Sequence, residues 1–160
     1  MNEISKLETE ELLTCLRLQL FHPDQACHPA FHDLPLNQPY KMDAEDPLRL
    51  GHDGQACTFV LNDTFVSRKQ FSIQAYRKSG NSCLSFMIQN MSQKGKLMVS
   101  GSELRHLKRA ELDDKSLLWF ARYEMLIWQE QGESQSKFEV LFKTCNRPTS
   151  QEMGIDVPCY

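Results

Sequence analysis

The chain has 160 residues, of which 41% are hydrophobic and 24% charged, and its formal net charge is −3. That length fits one domain with a buried core, and no apolar run reaches the ~18 residues that would suggest a membrane-spanning helix. Lys and Arg are dispersed over a slightly acidic chain, and the sequence shows no basic patch sufficient for nucleic-acid binding.

Residues 1–13 are mixed and charged, and Met1-Asn2-Glu3-Ile4 does not open a signal peptide. Ser5-Lys6-Leu7-Glu8 fits a capping box. A helix this short is marginal alone, and a mobile tail is the other reading. Thr9 lies within the acidic run Glu8-Thr9-Glu10-Glu11.

From Thr14 the pattern changes. Leu16, Leu18 and Leu20 alternate with Arg17 and Gln19, which predicts a strand with one buried face. His22-Pro23-Asp24 breaks it. Residues 25–47 hold Pro29, Pro35, Pro39 and Pro47 and predict a long loop with one short strand around Ala30–Leu34. Leu48-Arg49-Leu50 predicts a strand leading into the glycine-containing loop Gly51-His52-Asp53-Gly54, and Thr58–Leu61 another. The Phe71–Tyr76 stretch alternates, as do Leu84, Phe86 and Ile88, with a turn at Lys78-Ser79-Gly80-Asn81 between them. Lys96–Val99 is a further strand between two glycine turns. Ser116–Phe120 and Tyr123–Trp128, separated by Ala121-Arg122, predict a hairpin. Phe138, Val140 and Phe142 mark a last strand, and residues 146–160 predict a loose tail. About ten to eleven short strands, mostly antiparallel, without a long helix, predict an all-β sandwich. It would span residues 14–145 between short flexible tails, 1–13 and 146–160.

The six cysteines, Cys15, Cys27, Cys57, Cys83, Cys145 and Cys159, form no C-x-x-C pair. Without a secretory signal they predict reduced thiols and a cytoplasmic protein. Cys27-His28 with His32 comes nearest to a metal cluster, but Pro29 interrupts it and no second pair completes it. No metal or other cofactor is expected. Nor is an enzyme: the chain has no Gly-x-Ser-x-Gly, no P-loop and no His-Glu-x-x-His.

One loop stands out chemically. Ser67-Arg68, just before the Phe71 strand, sets a hydroxyl beside a guanidinium, a pairing suited to an oxyanion. A local turn hydrogen bond from Ser67 with a solvated Arg68 is the plainer alternative.

Three loops follow in order: Gly51-His52, Ser67-Arg68, and Asn90-Met91-Ser92 with Ser100-Gly101 beyond. Their order and spacing resemble the forkhead-associated (FHA) domain family, whose β-sandwich binds phosphothreonine with the loops at one end. Glu8-Thr9-Glu10-Glu11, Leu20-Phe21-His22-Pro23, Val66–Ser72 and Leu84-Ser85-Phe86 narrow the resemblance to the TRAF-interacting FHA adaptors. That resemblance implies an FHA-type sandwich in a cytoplasmic innate-immune adaptor. A kinase would phosphorylate Thr9, and another copy's FHA domain would bind it. A dimer would grow into larger oligomers and recruit a TRAF-family ubiquitin ligase to activate NF-κB. The implied phosphopeptide-binding residues are Gly51, His52, Ser67, Arg68, Gln89 and Asn90. Asn90 would hold the peptide backbone through its amide, or serve locally as a turn residue. Leu12, three residues after Thr9, would be read by the domain or would anchor the first strand. Neither nucleic acid nor membrane is implied as a partner.

The chain departs from the family pattern at three places. His52 stands where the family carries a phosphate-gripping arginine, so phosphate binding would depend on protonation, or His52 would simply face solvent. Gln70 stands where the family carries histidine. The TRAF-binding box is degenerate: Glu152 is the nearest match, with Ser150 where proline belongs. An FHA-like regulatory module with weak or lost phosphate binding is therefore the alternative. The linker from Thr9 to the first strand extends to roughly 14 Å, against a domain roughly 30 Å across, so binding between molecules is expected.

Overall fold

The computed structural model describes residues 12–23, 29–80, 82–145 and 147. Thr9, Glu152, Cys27 and His28 lie outside them. The described chain builds twelve strands: β1 (Thr14–Phe21), β2 (Tyr40–Asp43), β3 (Leu48–Gly51), β4 (Phe59–Val60), β5 (Phe71–Arg77), β6 (Leu84–Asn90), β7 (Met98–Val99), β8 (Ser102–Glu103), β9 (Arg109–Glu111), β10 (Lys115–Phe120), β11 (Tyr123–Glu130) and β12 (Lys137–Thr144). None of the described residues forms a helix long and apolar enough to cross a membrane.

The strands make two sheets, of order β2-β12-β1-β11-β10-β7-β8 and β4-β3-β5-β6-β9. Most pairs are antiparallel, but β1 runs parallel to β12 and β3 parallel to β4. Alternation explains the burial. β1, β5 and β6 each bury every second residue, so Leu16, Leu18 and Leu20 meet Phe86 and Ile88 in a shared core. Aromatic edges knit the two layers. Phe86 packs on Phe138 with ring centres 5.2 Å apart, Phe71 on Phe120 at 5.5 Å, and Phe59 on Phe142 at 4.7 Å.

The all-β sandwich expected from the alternation is present, with differences in detail. Ala30–Leu34 is not a strand. Pro29–Phe31 is a 3-10 turn, whose successive residues Ala30 and Phe31 both point inward, and Phe31 lies edge-on to Tyr123 at 6.0 Å. The strand of that region is β2, paired with β12. β8 and β9 were not expected, because their residues are mostly exposed and polar. The β10–β11 hairpin turns at Ala121 (φ 47°) and Arg122 (φ 69°), the backbone of a type I′ turn without its usual asparagine and glycine.

Pairing registers sort the loops into two ends. At one end lie the exit of β3, the entry of β5 and the exit of β6, since Leu50 faces Phe71 and Phe71 faces Asn90. At the other end β1 begins. There Thr14 Oγ1 accepts from the Gly132 amide at 3.0 Å, and the Ala44 amide donates to the Ser136 carbonyl at 2.8 Å. From Thr14 to Phe21 the chain crosses the sandwich, about 24 Å at the usual strand rise.

Candidate functional site

The Ser67 loop is built by its neighbours. The Ser67 amide donates to Gln70 Oε1 at 3.0 Å. The Gln70 amide in turn donates to the Leu50 carbonyl at 2.8 Å, and its own carbonyl accepts from Met91 at 3.2 Å. Gln70 is buried, so its side chain acts as a prop inside the turn. Further back, the Asp63 carboxylate accepts from the Phe65 amide at 2.9 Å and from the Tyr123 hydroxyl at 2.8 Å. Burial, reinforced by that carboxylate, pushes the Tyr123 hydroxyl far above the usual phenol range. It stays a neutral donor that ties the loop to the core.

Gly51 allows the Ser67-Arg68 backbone to lie against β3. The His52 amide donates to the Ser67 carbonyl at 3.1 Å and the Asp53 amide to the Arg68 carbonyl at 3.2 Å. Cys57 Sγ donates to the same Arg68 carbonyl at 3.0 Å, and burial raises its thiol above the usual cysteine range. The Arg68 guanidinium is left exposed.

His52 joins this loop in a specific way. Its Nδ1 lies 2.6 Å from the Val66 carbonyl. A carbonyl only accepts, so Nδ1 carries the proton. The neutral ring then has a lone pair at Nε2, and Nε2 becomes a donor only when the ring is charged.

The third loop closes over the second. Ser67 Oγ lies 2.6 Å from Ser92 Oγ. Ser92 Oγ donates to the Lys94 carbonyl at 2.5 Å, which leaves the Ser67 proton for the link between the two serines. A second histidine, His106, sets Nδ1 3.2 Å from the Ser92 carbonyl.

Asn90 takes the second of its two expected roles, using its amide locally. It is 2% exposed. Its Nδ2 donates to the Leu104 carbonyl at 2.7 Å and its Oδ1 accepts from the Ser92 amide at 2.9 Å. Both ends of the amide are used inside the protein, so Asn90 ties the 91–97 loop to the 104–108 loop. Gln89 likewise braces that second loop, donating from Nε2 to the Leu107 carbonyl at 3.1 Å. Gly51, His52, Ser67 and Arg68, which the resemblance implied, therefore lie side by side, while Asn90 and Gln89 stand behind them as supports. Ser92, Lys94 and His106 join the site without having been picked out as its members. Their signal was local: a serine two residues after Asn90, then Lys94-Gly95, with Gly95 at φ 72°.

The assembled surface is cationic. Arg68, Lys69, Lys94, Lys96, Arg105 and Lys108 are exposed on these loops. With the Ser67 hydroxyl, such a surface can hold a doubly charged, multi-acceptor group.

The FHA domain family model matches residues 48–121, the span that contains all of these loops. TRAF-interacting protein with FHA domain-containing protein A of Rattus norvegicus is 35% identical over 152 residues, covering 95% of this chain and 82% of the relative. The Homo sapiens protein A is 34% identical over the same shares. The Homo sapiens protein B is 32% identical, covering 87% of this chain and 83% of itself. Among solved structures, the FHA domain of an Arabidopsis thaliana hypothetical protein superposes with a TM-score of 0.51 at 15% identity, over 78% of this chain and 91% of that one. With relatives this similar over nearly its whole length, the chain belongs to the family of TRAF-interacting proteins with an FHA domain.

Proposed function

We propose that the protein is a non-enzymatic phosphothreonine-binding adaptor of the cytoplasm. Its domain, residues 14–145, binds phosphorylated Thr9 carried on the tail of another copy. The observation that carries this reading is the pairing of Ser67 with Ser92, their oxygens 2.6 Å apart, with the exposed Arg68 next to Ser67 in the chain and further exposed cations on the same loops. Phosphothreonine supplies about −1.5 to −2 charges and three acceptor oxygens to such loops. Arg68 is the charged donor, and the Ser67 hydroxyl turns from Ser92 to the phosphate.

Strand direction supports binding between copies. β1 begins at the end opposite the loops, about 24 Å away along the strand. Thr9 precedes Thr14 by five residues, a reach of about 17 Å. The tail of one copy therefore serves another, giving rings or open chains. The relatives are named as TRAF-interacting. Recruitment of a TRAF-family ubiquitin ligase, with NF-κB activation and a kinase acting on Thr9, completes the proposal. Glu152 in the 146–160 tail is the nearest match to a ligase-binding box, with Ser150 in the place of its proline.

Calorimetry with a peptide of residues 1–15, with and without phosphate on Thr9, tests the reading. Binding of the phosphorylated peptide alone is expected, and equal absence of binding rejects it. His52 favours a second reading. Its Nδ1 is spent on Val66, so the neutral ring offers phosphate no donor, as suits a module with weakened phosphate binding that regulates through its surface.

A further inference from the structure

Resting on the reading that Thr9 binds a second copy, we propose that the two copies also touch end to end. Glu45, Asp46 and Glu133 of the tail-bearing copy would meet Lys94, Arg105 and Lys108 of the copy that holds the phosphate.

The first observation is a short tether with a fixed root. The Leu12 carbonyl accepts from the Glu133 amide at 2.7 Å and the Ser134 amide at 3.0 Å. The root of the tail is thereby pinned to the loop between β11 and β12. Thr9 precedes Leu12 by three residues, which span about 10 Å when fully extended. A neighbour's Ser67 and Arg68 holding the Thr9 phosphate must come within that span, plus the length of one phosphorylated side chain, of Leu12, and at that range two folded ends are in contact.

The second observation is charge. Beside the pinned root lies a groove of about 990 Å³, lined by Asp43, Glu45, Asp46, Glu133 and Arg77 among others. Asp43 pairs with Lys137 at 3.5 Å, and Arg77 donates to Gln135 at 3.3 Å. Glu45, Asp46 and Glu133 present exposed carboxylates. At the other end of the sandwich, the loops that build the phosphate site carry the exposed cations Lys94, Arg105 and Lys108. Their place there is fixed by Ser92, which donates to the Lys94 carbonyl, and by the Asn90 amide, which donates to the Lys108 carbonyl at 3.1 Å. The acidic trio at one end attracts the basic trio at the other, which favours that orientation of approach. Each exposed pair is weak alone. The tether makes the encounter effectively intramolecular, so weak pairs count.

The test is the triple reversal Glu45→Lys, Asp46→Lys and Glu133→Lys in full-length, Thr9-phosphorylated protein. Sedimentation velocity at low and high salt reads assembly, and calorimetry with the phosphorylated 1–15 peptide reads the pocket separately. Peptide affinity should match the parent. Assembly should weaken about tenfold at low salt, with the difference fading at high salt, where exposed charges are screened. If the peptide binds normally and the reversed protein assembles as tightly as the parent at low salt, the end-to-end contact is wrong. If the parent binds no phosphopeptide, the underlying reading fails, and the contact fails with it.

Discussion

The Arg68 carbonyl oxygen fills the space that a side chain on Gly51 would need: a Cβ there would lie 2.1 Å from that oxygen and 2.9 Å from Cys57 Sγ. The obstacle is backbone, which cannot rotate away as a long side chain can. Gly51→Ala should therefore push the Ser67-Arg68 loop off β3, destabilising the fold by about 2 kcal/mol or more. Thermal denaturation reads the loss, and phosphopeptide titration should show binding weakened together with it. An unchanged melting curve would mean that the loop is not held against Gly51.

His52→Arg should tighten phosphopeptide binding by about tenfold, because arginine is always charged and offers a two-point donor. Titrations of the two proteins side by side compare them, and equal affinity of variant and parent would remove His52 from the site.

Ser67→Ala removes a hydroxyl that should donate to phosphate, and binding should weaken by about ten- to a hundredfold. Stability should change little, since the Ser67 amide and carbonyl keep their partners Gln70 and His52. Asn90→Ala should behave differently. It strips hydrogen-bond partners from the buried Ser92 amide and from the Leu104 carbonyl, and should cost about 2 kcal/mol or more of stability. Paired denaturation and binding measurements separate the two behaviours.

Tyr123→Phe deletes the hydroxyl that donates to Asp63. A bond to a charged acceptor is worth about 1.5–3 kcal/mol, and the loss should appear as faster amide exchange at Phe65 and Ser67. The pH dependence follows from the raised phenol. The folded state favours the neutral form, so the contribution is fully present below the ordinary tyrosine range near 10 and declines as pH rises above it. The stability gap between parent and variant should narrow above about pH 10. A gap that is constant with pH would mean that Tyr123 acts through packing alone.

The legible parts of the fold were those in which one residue in two is apolar. Leu16, Leu18 and Leu20 declare β1, and Phe138, Val140 and Phe142 declare β12, because a half-buried strand leaves that alternation in its own sequence. Ser102-Glu103 and Arg109–Glu111 carry no such mark. They are strands because β7 and β6 offer them an edge. The same limit applied at the site. Ser67 and Arg68 announce their chemistry by residue type. The use of Asn90 depends on Leu104, fourteen positions away in a loop with no pattern. Gln70, set down only as a departure from family, proved to be the prop of the turn.

The parallel pairing of β1 with β12 has a consequence for any assembly. Thr14 lies beside Phe138, and Leu20 beside Thr144. Entry to the first strand and exit from the last thus stand at opposite poles, with the exit at the pole of the phosphate loops. A filament grown by passing each N-terminal tail to the next copy would be directional. Every joint would place one incoming tail near the departure point of another copy's residues 146–160. The C-terminal segments would then recur once per subunit, about 30 Å apart, as a regularly spaced display for a multivalent partner.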